Sequence, residues 1–273
     1  AIATSANVIG QTAGESFDVR TARQLCAVAE YGAVRDLWFE QTRSLNAGSY
    51  APAGAVSYAG TLAANSTYDG GGGDYTISGA VLPVFAQNSG TVQNVVLSGS
   101  SDTLAVSNIG ALRDCAVEDA NVAKASGTYA LLACANTGSV TNCAIDTCAL
   151  TLTGSATGAL AIGSNSGTVT GVTVTDSQIR AAASAAGFVY SNGTGTISNC
   201  TISASSVVSQ TGEAAGFAYS NAKTISTCAA VHTDVTATLS RAAGFALSNA
   251  SGGSIASSYV APGKTTETWI GKG

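Results

Sequence analysis

The chain has 273 residues, a net charge of -5 and only 10% charged residues, against 45% hydrophobic ones, 32 glycines, three prolines and no methionine. So much apolar content argues against disorder, and the acidic balance argues against nucleic acid, whose phosphates call for basic stripes. No apolar run approaches the roughly 18 residues of a membrane span, so no membrane insertion is expected of this segment.

Residues 1–15 carry neither an initiator methionine nor a signal peptide and are expected to form a flexible tail or remnant. Residues 16–80 read as an N-terminal capping region. Within it, "TARQLCAVAEYG" holds a capping box, with Thr21 as N-cap and Gln24 three residues on. Leu25, Val28 and Ala29 predict one apolar stripe, and Gly32 stands where a helix-closing glycine belongs. "LWFEQTRSLN" follows as a strand-like run, then "YDGGGGDYTISG" as a flexible turn and a strand. A helix laid over the first turn of a repeat array, with Trp38 and Phe39 beside it, would close an otherwise open core. Trp38 could equally face outward.

Residues 81–260 repeat. "AAGFVYSNGTGTISNC" at Ala185 returns as "AAGFAYSNAKTISTC" at Ala214 and "AAGFALSNASGGSIASS" at Ala242. Anchored on its asparagine, the unit recurs at Asn88, Asn108, Asn136, Asn165, Asn192, Asn221 and Asn249, at spacings of 20, 28, 29, 27, 29 and 28. Four residues earlier stand Val84, Leu104, Leu132, Ala161, Phe188, Phe217 and Phe245. Beyond it come Val92, Leu112, Val140, Val169, Ile197, Ile225 and Ile255. Three residues later follow Val95, Cys115, Cys143, Val172, Cys200, Cys228 and Ser258, and two later again Leu97, Val117, Ile145, Val174, Ile202, Ala230 and Val260. A step of two is strand alternation. The step of three breaks it and predicts a corner, where Asn94, Asn142 and Asn199 suit a left-handed backbone. Stacked asparagines can also bond to one another along such an array.

One unit cannot bury its apolar side alone, whereas stacked units share a continuous core. The fold expected is therefore an all-β solenoid, a parallel β-helix of about seven turns with an N-terminal helix-containing cap. Residues 261–273 are expected to be a C-terminal tail or cap. Cys115, Cys143, Cys200 and Cys228 share one inward column and read as buried free thiols, because in-register side chains point the same way rather than at each other. Cys134, Cys143 and Cys148 lack the spacing and the histidine of a zinc site.

The phrases "VFAQNSGTVQNVVLSG", "AIGSNSGTVTGVTVT" and "GFVYSNGTGTISNCTIS" resemble the GLUG-type repeats of bacterial surface proteins. The order "FDVRTARQLCAVAE", "LWFEQTRSLNAGSYAPAG", "YAGTL" and "DGGGGDYTISG" is similar to that family's N-terminal part. The likeness spans about residues 16–260. It departs where the family has an "NDIDLSG"-like stretch and this chain has "QTRSLNAG", and where "AANSTY" splits the "GTFDG" phrase. The resemblance implies a right-handed parallel β-helix, exported and displayed extracellularly at the cell surface, commonly as part of a longer adhesin-like chain.

Parallel β-helices also host polysaccharide lyases and hydrolases, which need clustered carboxylates or a base beside calcium-binding acids. Here Asp114, Glu118, Asp119, Asp146, Asp176, Glu213 and Asp234 are scattered singly, although Asp119, Asp146 and Asp176 could share a face. His232 is the only histidine. The glycines after Asp69 lack the lysine of a phosphate loop. Asn65 and Asn192 fit a glycosylation sequon, and "TVTGVTVTDS" has the threonines, though not the regularity, of an ice-binding face. The expectation is a non-catalytic stalk or adhesin module with no catalytic residue, metal or cofactor and an unassigned binding surface. Its partners would be carbohydrate or a host extracellular protein. The alternative is a polysaccharide-active enzyme.

Overall fold

A computed structural model describes residues 16–31, 37–261 and 263–267. The expected tail at 1–15, the helix-closing Gly32 and residues 268–273 lie outside them. The chain is a parallel β-helix. Among the described residues its short strands form three long sheets of ten (A), nine (B) and eight (C) strands and two shorter ones of six (D) and five (E). Every pairing among them is parallel, and equivalent residues face each other coil after coil: Val140 pairs with Val169, Val169 with Ile197, and Ile197 with Ile225.

Sheet C receives one strand per circuit, so its eight strands mark eight complete coils, one more than the repeat count predicts. The extra coil comes from the capping region, whose strands Trp38–Gln41, Leu45–Asn46 and Thr61–Leu62 enter sheets A, B and C. Residue 80 is therefore no break in the sheets. The irregular spacing of 20 also has a structural meaning. Coils before Asn121 run from sheet B directly to sheet C, whereas later coils detour through sheets D and E.

Corners follow from residues that tolerate a left-handed backbone. Between sheets A and B stand Asn94, Asp114, Asn142, Gly171, Asn199, Thr227 and Ser257, all at positive φ. At the exit from sheet B stand Gly99, Asp119, Thr147, Asp176, Ala204 and His232, again all at positive φ. The residue after each corner points inward and often carries a donor that closes the bend. Cys115, Cys200 and Cys228 Sγ bond to the carbonyl two residues back at 3.2, 3.1 and 3.2 Å. Ser177 and Ser205 Oγ make the same bond at 2.7 Å. All seven cysteines are free thiols, and the four in the shared column are buried as expected. Their added role as weak corner donors was not apparent from the sequence.

The asparagine ladder lies in the anchor column rather than at the corners. Asn88 Nδ2 donates to Asn108 Oδ1 at 2.8 Å, and the chain of bonds continues through Asn136, Asn165, Asn192 and Asn221 to Asn249. Six of these seven amides are buried, and the bonds between coils, with others to nearby carbonyls such as Ala111 and Ser139, satisfy their polar groups. Beside the ladder, Phe188, Phe217 and Phe245 stack with centroids 4.5 and 4.7 Å apart.

Helix α1 (Ala22–Tyr31) seals the N-terminal end. Gln24 N–H donates to Thr21 Oγ1 at 3.2 Å, the first half of the capping box; the glutamine side chain reaches back to Arg20 N–H rather than to that of Thr21. Leu25 and Val28 are buried, while Ala29 is exposed at the rim. A Cβ on Gly60, which has φ +62°, would stand 2.7 Å from the Ala29 Cβ, so glycine is what lets the helix sit this close. Phe39 is buried at 3% exposure and Trp38 faces out at 41%. At the other end Phe245 and Ile255 are half-buried and Val260 is exposed, so the last member of each ladder lacks the cover its predecessors have.

Candidate functional site

Inward columns are nearly constant from coil to coil, so a site belongs where outward columns differ. The acids named above come together only in pairs: Glu118 lies in register with Asp146 of the next coil, and Asp176 and Asp234 line one cleft. Asp114 is a corner residue of sheets A and B, and Asp119 and Asp176 occupy the next corner. Asp146 accepts from Thr175 Oγ1 at 2.5 Å and from Thr147 Oγ1 at 3.1 Å, while Asp234 accepts from Lys264 N–H at 2.7 Å. Among the described residues no three or more His, Cys, Asp or Glu side chains are grouped to hold a metal ion. His232 is exposed beside a shallow cleft of about 340 Å3 that also includes Asp176, Gln178 and Asp234. The hydroxyls of Ser177 and Ser205 at that cleft donate to backbone carbonyls, not to the imidazole. Asp69, in the glycine-rich turn, is a structural acceptor for Gln93, Asn94 and Gly71 N–H. Burial alone would raise its carboxyl; those three donors and the nearby Arg113 outweigh it and hold the group below the usual range.

The most varied outward column lies on sheet C, at Ala86, Val106, Cys134, Gly163, Tyr190, Tyr219 and Leu247. Tyr190 and Tyr219 stack with centroids 4.6 Å apart and planes 10° from parallel. With Leu247 they pack on the buried methyls of Ala159, Ala186 and Ala215, across the angle between sheets C and E. Tyr219 OH donates to Glu213 Oε2 at 2.9 Å, and Glu213 is paired with the Arg241 guanidinium. Burial pushes the Tyr219 phenol up; a Ser184 hydrogen bond opposes this in part, and the bond the phenol donates to Glu213 adds to it. Alongside runs an in-register row of Ser164, Ser191, Ser220 and Ser248. The flank thus combines ring edges, hydroxyls, a carboxylate and a guanidinium on rigid strands. Both tyrosines stood in the repeated phrase, but their identity as a site shows only when the seven copies are compared at that one position.

This fold, with a polar and aromatic flank, defines a parallel β-helix with a candidate surface recognition site. No family model matches the chain, and no curated protein matches it. Among solved structures it is similar to an IgA1 protease, with a TM-score of 0.65 and 14% identity over 94% of this chain. That alignment covers 22% of the protease chain, and at this identity the likeness is one of fold. No helix among the described residues is long and apolar enough to cross a membrane.

Proposed function

We propose that this chain is a non-catalytic β-helix module of an exported bacterial surface protein of the GLUG-repeat kind, a rigid arm that recognises carbohydrate along one flank. The observation that carries the reading is the Tyr190–Tyr219 stack with Glu213, Arg241 and the serine row beside it. Tyrosines offer an apolar body with a polar tip, and a hydroxyl row with one carboxylate matches the many donors and acceptors of a glycan. The structural likeness to an IgA1 protease supports the β-helix scaffold, and export and surface display rest on the resemblance of the repeats.

The test is a glycan array on the whole chain beside a Tyr190→Ser/Tyr219→Ser variant, with release of reducing sugar measured on the same polymers. Binding that falls at least tenfold in the variant, about 1.4 kcal/mol, is the expected result. Sugar release by the unaltered chain, or binding indifferent to both tyrosines, would overturn the reading.

A further inference from the structure

The change from three-sided to five-sided coils leaves a ledge in the middle of the molecule. The first strand of sheet D, Asn121–Lys124, pairs only with Ala149–Leu152. The first strand of sheet E, Thr128–Tyr129, pairs only with the strand Thr157–Ala159. Neither has a strand neighbour on its N-terminal side among the described residues. In a parallel ladder, alternate residues aim both backbone groups at opposite neighbours. The carbonyls of Ala120 and Lys124 accept from Ala149 and Thr153, so Asn121 and Ala123 face the ledge. Asn121 N–H is satisfied by Ser100 O at 2.8 Å. The Asn121 carbonyl and both backbone groups of Ala123 are left to whatever lies below.

The wall beneath is polar next to the ledge and apolar one coil further down. It is made by the short links from sheet B to sheet C in the two preceding coils: directly below, Ser100 to Thr103 with Ser101 exposed, and one coil further down Val81, 50% exposed, and the half-buried Leu82. One end of the ledge is closed by Lys124, whose Nζ is 2.5 Å from the buried Asp102 carboxylate and 4.8 Å from the Tyr129 ring centre. The other end carries Glu118 and Asp119, whose carboxylates are not engaged by that lysine.

We propose that this ledge accepts an extended segment of a partner polypeptide, added as one more strand to sheet D. A row of unpaired strand groups is complementary only to another strand. The stack of sheet D strands above repeats the same contact coil after coil, so the added strand continues an interface the molecule already uses. Its side chains would pass Ser101 and reach Val81 and Leu82 one coil below, and a basic residue would be drawn to Glu118 and Asp119. This surface is separate from the tyrosine flank, and the inference stands whether or not that flank binds glycan.

The probe is a fluorescein-labelled peptide of sequence SQIRAAA, copied from Ser177–Ala183, which contains a sheet D strand and one arginine. Its fluorescence anisotropy is followed on the whole chain, beside the same peptide N-methylated at alternate residues. Saturable binding with a dissociation constant below about 1 mM is expected, weakened at least tenfold by N-methylation and at least threefold by Val81→Lys. Ala123→Pro should abolish it; because proline also constrains the strand itself, Val81→Lys, outside every sheet and checked by thermal melting, carries the decision. Absence of binding at 1 mM, or equal binding of the N-methylated peptide, would overturn the proposal. So would binding that appears only after removal of residues 1–15, which would assign the ledge to the chain's own terminus.

Discussion

Asn165 Nδ2 stands 2.9 Å from Asn192 Oδ1 and donates to it across adjacent coils. The same amide accepts from Asn136 at 2.8 Å, so it is a link with a partner on each side. Asn165→Ala leaves a buried donor on Asn136 and a buried acceptor on Asn192, which should cost about 2–4 kcal/mol. Asn249→Ala strips a partner from Asn221 alone, at the exposed end where water can replace it, and should cost less, about 1 kcal/mol. Urea unfolding of both variants checks the contrast, and equal losses would mean that the ladder contributes no buried hydrogen bonding.

Phe217 is sandwiched between Phe188 and Phe245 and fully buried. Phe217→Ala should lose about 3–5 kcal/mol, because rigid in-register neighbours cannot collapse into the void. Phe245→Ala, with one ring face already uncovered, should lose clearly less by the same measurement.

Alkaline pH should loosen the coil. Burial pushes the Cys148 thiol from 9.0 up to about 11, and burial, with Asp69 next to it, raises the Tyr68 phenol as well. Both groups are neutral when folded and more acidic when unfolded, so the folded state holds more protons as pH rises. Stability is fully present below about pH 9 and falls from there through 11. In Cys148→Ser the thiol part of that slope should vanish, which thermal melts between pH 8 and 11 would show.

Acid should act through Asp69, whose carboxyl is held low by the Asn94, Gln93 and Gly71 bonds despite its burial. A depressed carboxylate stabilises the fold above its unfolded value near 4 and loses that contribution as pH falls. Asp69→Asn should lower the melting temperature at pH 7 and flatten its fall between pH 5 and 3. An unchanged acid slope would show that the carboxylate does not stabilise this corner.

How much of this was readable from the chain depends on what each residue has for neighbours. The inward columns, the corner role of Asn94, Asn142 and Asn199 and the free thiols follow from periodicity, since a repeated residue meets its own copy. The ladder partner of each asparagine does not, because Asn88 and Asn94 recur alike and only the coil geometry turns one inward. The single spacing of 20 was visible but silent; only the sheets show that sides D and E are missing there. The tyrosine flank was hidden for the opposite reason, since attention to what recurs passes over the column that does not. Ala29 and Trp38 faced outward because the seat of a single helix and a first strand is set by contacts that no repeat records.

Stacking in equal coils has a mechanical meaning. Coils joined in a line and pulled from the two ends carry load in series, and the half-covered last coil should peel first. Each five-sided coil of about 28 residues would then add roughly 90–100 Å of contour length, and the 20-residue coil about 65–70 Å. Held by its ends, the molecule would lengthen in steps near constant force, the behaviour of a tether that absorbs a jolt before it lets go. The narrower coils, sealed by the helix, would yield last and in shorter strides.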